Sequence, residues 1–377
     1  MMRSLMLALV PFAALAQAPI ELEDLGRFEQ AAAGYERLGQ PDGLRRAARL
    51  RDSLCEPKKA AGDLVRWLQR WPRADGAQDV ALALGELYER LGQPRKALKA
   101  YVRASADGAV ALLKARLAAE LFEGARLPST NEGEAFKKAL EAKALLHRAA
   151  EEAYQAVAQR GDAGRSVCAG VGVAELYYGF ARELRELAPP PDMSPEQKLQ
   201  FQSLRLGIWE PIEEKGHGAM EAALQSAQAR GVYNACAHRA AVAVRKIHKN
   251  APPPPPADLT VVDEASPPVA RGLALLPEQP ALAALIFERA EPSVAALTNL
   301  GVALARAGDH PGAVAAWKRA IALDASAVAP RLDLAAVLMA FVDVIGARDH
   351  YRAVLDSEPT NERASAGLAS IQKALTP

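Results

Sequence analysis

Apolar side chains recur along this chain at three- and four-residue steps, in short runs that themselves repeat near the C-terminus. With Val294 as position 1 of a 34-residue unit, Leu297, Leu300, Gly301 and Leu304 fall at positions 4, 7, 8 and 11, and Ala313, Trp317 and Ala320 at 20, 24 and 27. A second unit from Val328 places Leu334, Ala335 and Leu338 at 7, 8 and 11, Ala347, Tyr351 and Val354 at 20, 24 and 27, and Pro359 at 32. The spacing predicts two antiparallel helices per unit. Small residues at 8 and 20 let the helices approach, large ones fill the space to the neighbours, and the proline stops the second helix. Residues 362–375 then read as a capping helix over the last apolar face.

The N-terminal part follows the same grammar. From Gln78, Leu84, Gly85 and Tyr88 occupy positions 7, 8 and 11, and Ala97, Tyr101 and Ala104 occupy 20, 24 and 27. A degenerate unit from Pro41 supplies Leu44, Ala47 and Ala48, then Ala60, Leu64 and Trp67, and ends at Pro72. Before it, FEQAAAGYERLG reads as the second helix of a truncated unit, with Ala31 and Tyr35 in the 20 and 24 roles. This pattern resembles the tetratricopeptide repeat (TPR).

Between the repeat blocks, residues 131–160 form a long helical pattern without unit boundaries. Pro189, Pro190 and Pro191 must stop the helix that carries Tyr177, Tyr178 and Phe180. Ser194-Pro195-Glu196 restarts a helix with a serine cap and a first-turn proline, and Glu210-Pro211 is expected to do so again. Leu199, Phe201, Leu204, Leu206, Ile208 and Trp209 are expected to be mostly core, with a partner surface on the insert as the alternative. The five prolines from Pro252 to Pro256 read as a stiff linker. The expected fold is all-α, a TPR-type helical-hairpin solenoid with a proline-bounded helical insert in the middle. Its parts are a leader (1–16), N-terminal repeats (17–128), a central helical domain (129–250), the linker (251–268) and C-terminal repeats with their cap (269–377).

Half of the residues are apolar and only 5% aromatic, which favours many small helix contacts over thick sheets. Forty-six basic against forty-five acidic residues leave a formal charge of +1, so no global field draws nucleic acid or anionic lipid. At the start, Arg3 precedes an apolar run from Leu5 to Leu15 that closes on Ala14-Leu15-Ala16, which predicts export with cleavage after Ala16. The run is too short to span about 30 Å of hydrocarbon. No cysteine follows it to carry a lipid. In an oxidising compartment Cys168 and Cys236, in the same central block, are the better candidates for a disulfide; the alternative is that they and Cys55 are small buried hydrophobes.

Residues 174–248 carry a more specific signature. Tyr178, Phe180 and Ala181 lie on one helix, and Pro189 and Pro191 form an Ala-Pro-x-Pro turn. Pro211, Glu213, Glu214 and Lys215 then open a Pro-x-Glu-Glu-Lys helix, and Gly231, Val232, Tyr233 and Asn234 make a Gly-Val-Tyr-Asn turn. The segment resembles one in the TPR proteins of the myxobacterial adventurous gliding motility (Glt-type) envelope complex. That resemblance implies a non-catalytic component, periplasmic or at the outer membrane, that helps couple an inner-membrane motor to surface adhesion. It also implies partners among other envelope proteins, with membrane contact only through them.

No enzyme signature accompanies it. The six histidines are scattered singly, and there is no nucleophile elbow, phosphate loop or dinucleotide fingerprint. Glu213 and Glu214 sit where a helix dipole favours acids. No catalytic residue, cofactor, metal or small-molecule substrate is expected; the alternatives to a motility scaffold are a periplasmic adaptor for outer-membrane or cell-wall assembly and an envelope hydrolase or transferase with its site in the central insert. Protein binding is expected on the concave face, at repeat positions 2, 5, 9, 12 and 13. In the N-terminal units these are Arg45, Arg49 and Asp52, then Asp79, Leu82, Glu86, Glu89 and Arg90. In the C-terminal unit they are Thr298, Val302 and Arg306, with Asn299 beside them. Phe201 and Trp209 represent the insert. A plain solvated face is the alternative for each charged residue.

Overall fold

The computed structural model describes residues 18–128, 133–160, 162–248, 258–264 and 266–375. The leader and the five-proline run lie outside them. Among the described residues the only regular elements are α-helices: α1 (Pro19–Asp24), α2 (Phe28–Leu38), α3 (Pro41–Ser53), α4 (Pro57–Arg70), α5 (Ala77–Arg90), α6 (Pro94–Arg103), α7 (Asp107–Gly124), α8 (Gly133–Ala158) and α9 (Ala163–Glu186). They continue as α10 (Pro195–Arg230), α11 (Ala235–Ile247), α12 (Pro267–Leu275), α13 (Pro280–Phe287), α14 (Val294–Arg306), α15 (His310–Leu323), α16 (Val328–Ala340), α17 (Val344–Ser357) and α18 (Glu362–Leu375). The chain is an all-α protein of TPR-type helical hairpins. It divides into two compact units, residues 1–97 and 98–377, with the division inside α6.

Turn chemistry sets the hairpins. Repeat position 15 takes a left-handed backbone in four units: Gly92 (φ 65°), Gly308 (φ 85°), Cys55 (φ 59°) and Val342 (φ 58°). Glycine adopts this without a Cβ penalty, whereas Cys55 and Val342 bear it. At the next position, Asp309 accepts from the Gly312 N–H at 3.0 Å and Asp343 from the Gly346 N–H at 3.1 Å, capping α15 and α17. Inside the hairpins the small-against-large rule holds. A Cβ at Gly301 would enter the Trp317 indole, and one at Gly272 would meet Phe287. The second pair belongs to the short hairpin α12–α13 in front of the counted repeats.

In the N-terminal unit, α1 to α5 pack in succession. Asp63, fully buried, is held by Arg51 at 2.5 Å and by Arg66 at 2.5 Å, and both arginines also reach Glu36. The Arg51 hydrogen bond holds the Glu36 carboxyl below its usual range, while burial pushes that of Asp63 up. The ions tie α2, α3 and α4 together. Removing one partner would strand a buried charge.

In the second unit, a cluster around Phe122, Tyr154, Val157 and Leu176 joins α7, α8 and α9. Lys143 on α8 is buried there. Its ammonium donates to the carbonyls of Phe122 (3.0 Å) and Ala125 (2.8 Å) at the C-terminal end of α7, and it pairs with Glu183 at 2.6 Å. A second apolar core runs without a break from α9 through α18.

Two expectations about the insert are corrected. Ser194 does begin a helix, its hydroxyl and Gln197 forming a reciprocal cap, but that helix is α10 and it continues through Pro211 to Arg230. The bond Pro211 forfeits is the one to the Gly207 carbonyl; both residues are exposed, so that oxygen is open to solvent and the helix persists. Nor are the insert's aliphatic side chains core: Leu199 is 67% exposed, Leu204 64%, Leu206 44% and Ile208 57%. They sit on the first half of α10, outside the stretch around Gly216, Met220 and Leu224 that is buried against the core.

Cys168 and Cys236 are joined, linking α9 to α11 across 68 residues, whereas Cys55 is free and exposed. The thiols are therefore not all buried. Nearby, Gly231 ends α10 in a left-handed cap and Asn234 begins α11 by accepting from the Ala237 N–H. Tyr233 between them donates to Asp343 at 2.8 Å, and the Gln228 amide and the Arg245 guanidinium donate to carbonyls of the α16–α17 turn.

Two outcomes follow for stability. Cys55→Gly relieves the left-handed strain at an exposed site and should stabilise the N-terminal unit by about 0.5–1 kcal/mol, read as a higher urea midpoint. Reducing the Cys168–Cys236 bond should cost the second unit about 2–4 kcal/mol, seen when unfolding is compared with and without dithiothreitol.

Candidate functional site

The first helices of the C-terminal hairpins, α14, α16 and α18, lie side by side. Their shared face is not bare. Residues 258–264, in extended conformation, cross it in the sense opposite to the order of the hairpins. Exposure alternates from 260 to 264, with Thr260, Val262 and Glu264 half-buried toward the helices and Val261 and Asp263 exposed, while Leu259 before them is half-buried as well. That is the period-two pattern of an extended chain on a surface.

The contacts are mainly to backbone. The Asn299 side chain on α14 is fully buried and reads Val262 on both sides: its Oδ1 accepts from the Val262 N–H at 2.9 Å and its Nδ2 donates to the Val262 carbonyl at 2.7 Å. One helix along, the Asp333 carboxylate on α16 accepts from the Thr260 N–H at 2.8 and 3.0 Å. From α18, Arg363 donates to Asp333 at 3.0 Å and to the Thr260 hydroxyl at 2.6 Å. The Glu264 carboxylate accepts from Ser293 (2.6 Å) and Ser266 (2.8 Å).

Electrostatics at Asp333 follow from depth. Burial pushes its carboxyl up to about 6, against the Thr260 N–H and the Arg363 guanidinium, which favour the ionised form.

The residues expected at binding positions are placed as follows. Thr298 and Val302 are fully buried, and the Thr298 carbonyl accepts the Trp317 indole N–H at 3.1 Å. Asn299 grips the chain's own segment, and Arg306 is exposed at the end of α14. In the other unit Arg45, Arg49 and Glu86 are exposed on α3 and α5, and Leu82 and Glu89 are half-buried. Asp52 and Arg90, from the same set of positions, pair with each other at 2.7 Å. On the insert, Phe201 and Trp209 are half-buried, under the guanidinium groups of Arg205 (5.6 Å) and Arg185 (5.4 Å). The structure thus brings Asn299 together with Asp333, Arg363, Thr260 and Val262, four residues that the repeat count did not single out. A signal existed for one of them: Asn299 and Asp333 are polar residues one full repeat apart, at a position otherwise flanked by core.

Among the described residues no group of three or more His, Cys, Asp or Glu side chains converges as a metal site would require, and no helix is long and apolar enough to cross a membrane. No family model matches the chain, and no curated protein matches it. Among solved structures it is similar to the TPR2AB domain of yeast Sti1 in complex with pHSP90, at 13% identity over 95% of this chain and 96% of that one, with a TM-score of 0.22. It is similar also to yeast Tom70 (12% identity, 94% of each chain, TM-score 0.27) and to the TPR domain of P58(IPK) (14% identity, 95% and 96%, TM-score 0.23).

The raised Asp333 value has a definite sign. A carboxyl with a higher pKa folded than unfolded adds stability fully below its ordinary 3.8, and that contribution is lost as pH rises through about 6. Asp333→Asn cannot titrate. Wild type should therefore lose roughly 3 kcal/mol relative to Asp333→Asn between about pH 4 and pH 7, at about 1.4 kcal/mol per unit. Parallel urea midpoints for the two proteins across that range would refute the assignment.

Proposed function

We propose that this protein is a non-catalytic interaction scaffold of a bacterial cell envelope, working within a gliding-motility-type machinery. The observation that carries the scaffold reading is the grip of Asn299, Asp333 and Arg363 on extended main chain, since a helical face that holds backbone in this way can hold a segment of another protein. Export rests on the leader that ends at Ala16, and the Cys168–Cys236 disulfide suits an oxidising compartment.

The motility reading rests on the resemblance of residues 174–248. Within that segment Gly231, Tyr233 and Asn234 shape the α10–α11 turn and dock it on the C-terminal hairpins, so these motif residues serve the scaffold's own assembly.

The test is affinity purification of the tagged chain from solubilised envelopes of its native host. The expected result is a mature protein that begins at Gln17, in the envelope fraction, together with components of a motility apparatus. Outer-membrane or cell-wall assembly proteins in their place would make it a periplasmic adaptor of a different machine. A chain that retains its leader, or that is recovered with no protein partner, would sink the envelope-scaffold reading.

A further inference from the structure

Residues 258–264 occupy the face of α14, α16 and α18 as a bound peptide would. Backbone recognition dominates: the Val262 amide and carbonyl both meet Asn299, and the Thr260 amide meets Asp333. Polar side-chain contacts to the face are few, the Thr260 hydroxyl on Arg363 and the Glu264 carboxylate on Ser293 at the start of α14. Leu259 touches the apolar core at its edge. Because the main bonds ignore side-chain identity, any extended chain that can place an N–H and a carbonyl at the Asn299 amide satisfies the same groups. Left empty, the face would leave the Asn299 amide to water and the Asp333 carboxylate to Arg363 and water, so an extended chain there competes with solvent for both groups.

We propose that this face is a binding site for an extended segment of a partner protein, and that residues 258–264 are its resident occupant in cis. The partner segment carries a hydroxyl, a branched apolar and an acidic side chain at alternate positions, Thr-x-Val-x-Glu in the resident version, and enters by displacing residues 258–264. The resident segment is covalently attached, so it competes at an effective concentration in the millimolar range. The site is thereby held closed to weak or unspecific peptides. This inference rests on reading the face as a protein-contact surface.

The probe is a fluorescein-labelled peptide, Asp-Leu-Thr-Val-Val-Asp-Glu, titrated by anisotropy into the full-length protein. Val262→Pro removes the N–H that Asn299 accepts and frees the resident segment. The variant should bind the peptide at least about tenfold more tightly than wild type, because the tethered competitor is weakened. The same peptide with proline in place of its second valine, the counterpart of Val262, should bind neither protein. A folded Val262→Pro chain that binds the peptide no better than wild type overturns the proposal.

Hydrogen exchange of the unaltered protein gives a second reading that does not depend on the variant folding. Exchange of the Thr260 and Val262 amides ahead of the α14 and α16 core amides supports displacement, and exchange only together with them overturns it. Either failure leaves intact a chain that still co-purifies with envelope proteins. Absence of partners, by contrast, would strike the scaffold reading itself.

Discussion

Close approach of paired helices, a residue without a large side chain on one against an aromatic ring on the other, is the constraint on which the second unit depends. Gly301 accepts Trp317 in this way, Gly272 accepts Phe287, and Gly367 accepts Tyr351. The same device recurs where no 34-residue count applies, with Gly172 against Tyr154 between α9 and α8 and Gly216 against Tyr178 between α10 and α9. Each ring is clamped by backbone on its small-residue side, which leaves little freedom for the helix pair to slide. The Trp317 indole adds a hydrogen bond to the Thr298 carbonyl and so fixes the turn of α14 that carries Asn299. Packing at the back of the hairpin thereby aims the side chain at its front.

How much of this was legible in the sequence depended on whether a position repeats. Helices α2 to α6 and α14 to α18 follow from the recurring small and large positions, because each unit must bury the same stripe. Pro211 misled because a proline ordinarily ends a helix, yet here the forfeited bond faces solvent and the packing of α10 on α9 carries the helix across. Leu199, Leu204 and Ile208 misled for a related reason: hydrophobicity shows that a side chain favours burial, not that a neighbouring element reaches it. Residues 258–264 carry no hydrophobic period that marks them out from a loop, and Asn299, Asp333 and Arg363, which hold them, lie far along the chain. The polar pair Asn299 and Asp333, one repeat apart at a buried position, was the clue on the page.

Packing and covalent chemistry converge at the junction of α10, α11 and the C-terminal hairpins. Gly231 turns the chain and Asn234 starts the next helix, with its amide also donating to the Gly164 carbonyl beside the disulfide. Tyr233, Gln228 and Arg245 then satisfy groups of the α16–α17 turn, where Val342 holds its left-handed conformation. The strain at Val342 is thus located at a turn that three outside donors hold in place. The central helices and the C-terminal hairpins consequently share one core despite the proline-rich stretch between them in sequence.

The crossing of residues 258–264 over α14 and α16 also sets a limit of scale. The Thr260 backbone meets α16 and the Val262 backbone meets α14, while the Thr260 hydroxyl reaches α18, so the backbone contacts spend two residues per hairpin. Two residues of extended chain advance about 6.6 Å, whereas packed helices stand about 8–10 Å apart. The pitches of strand and array do not match, and the error grows with every hairpin crossed. Two neighbouring helices can be contacted in register because the reach of the Asn299 and Asp333 side chains makes up a difference of a few ångströms, but a longer run would fall out of step. A segment of this length is therefore close to the longest that such a face can read residue by residue, and additional hairpins would widen the protein without lengthening what it recognises.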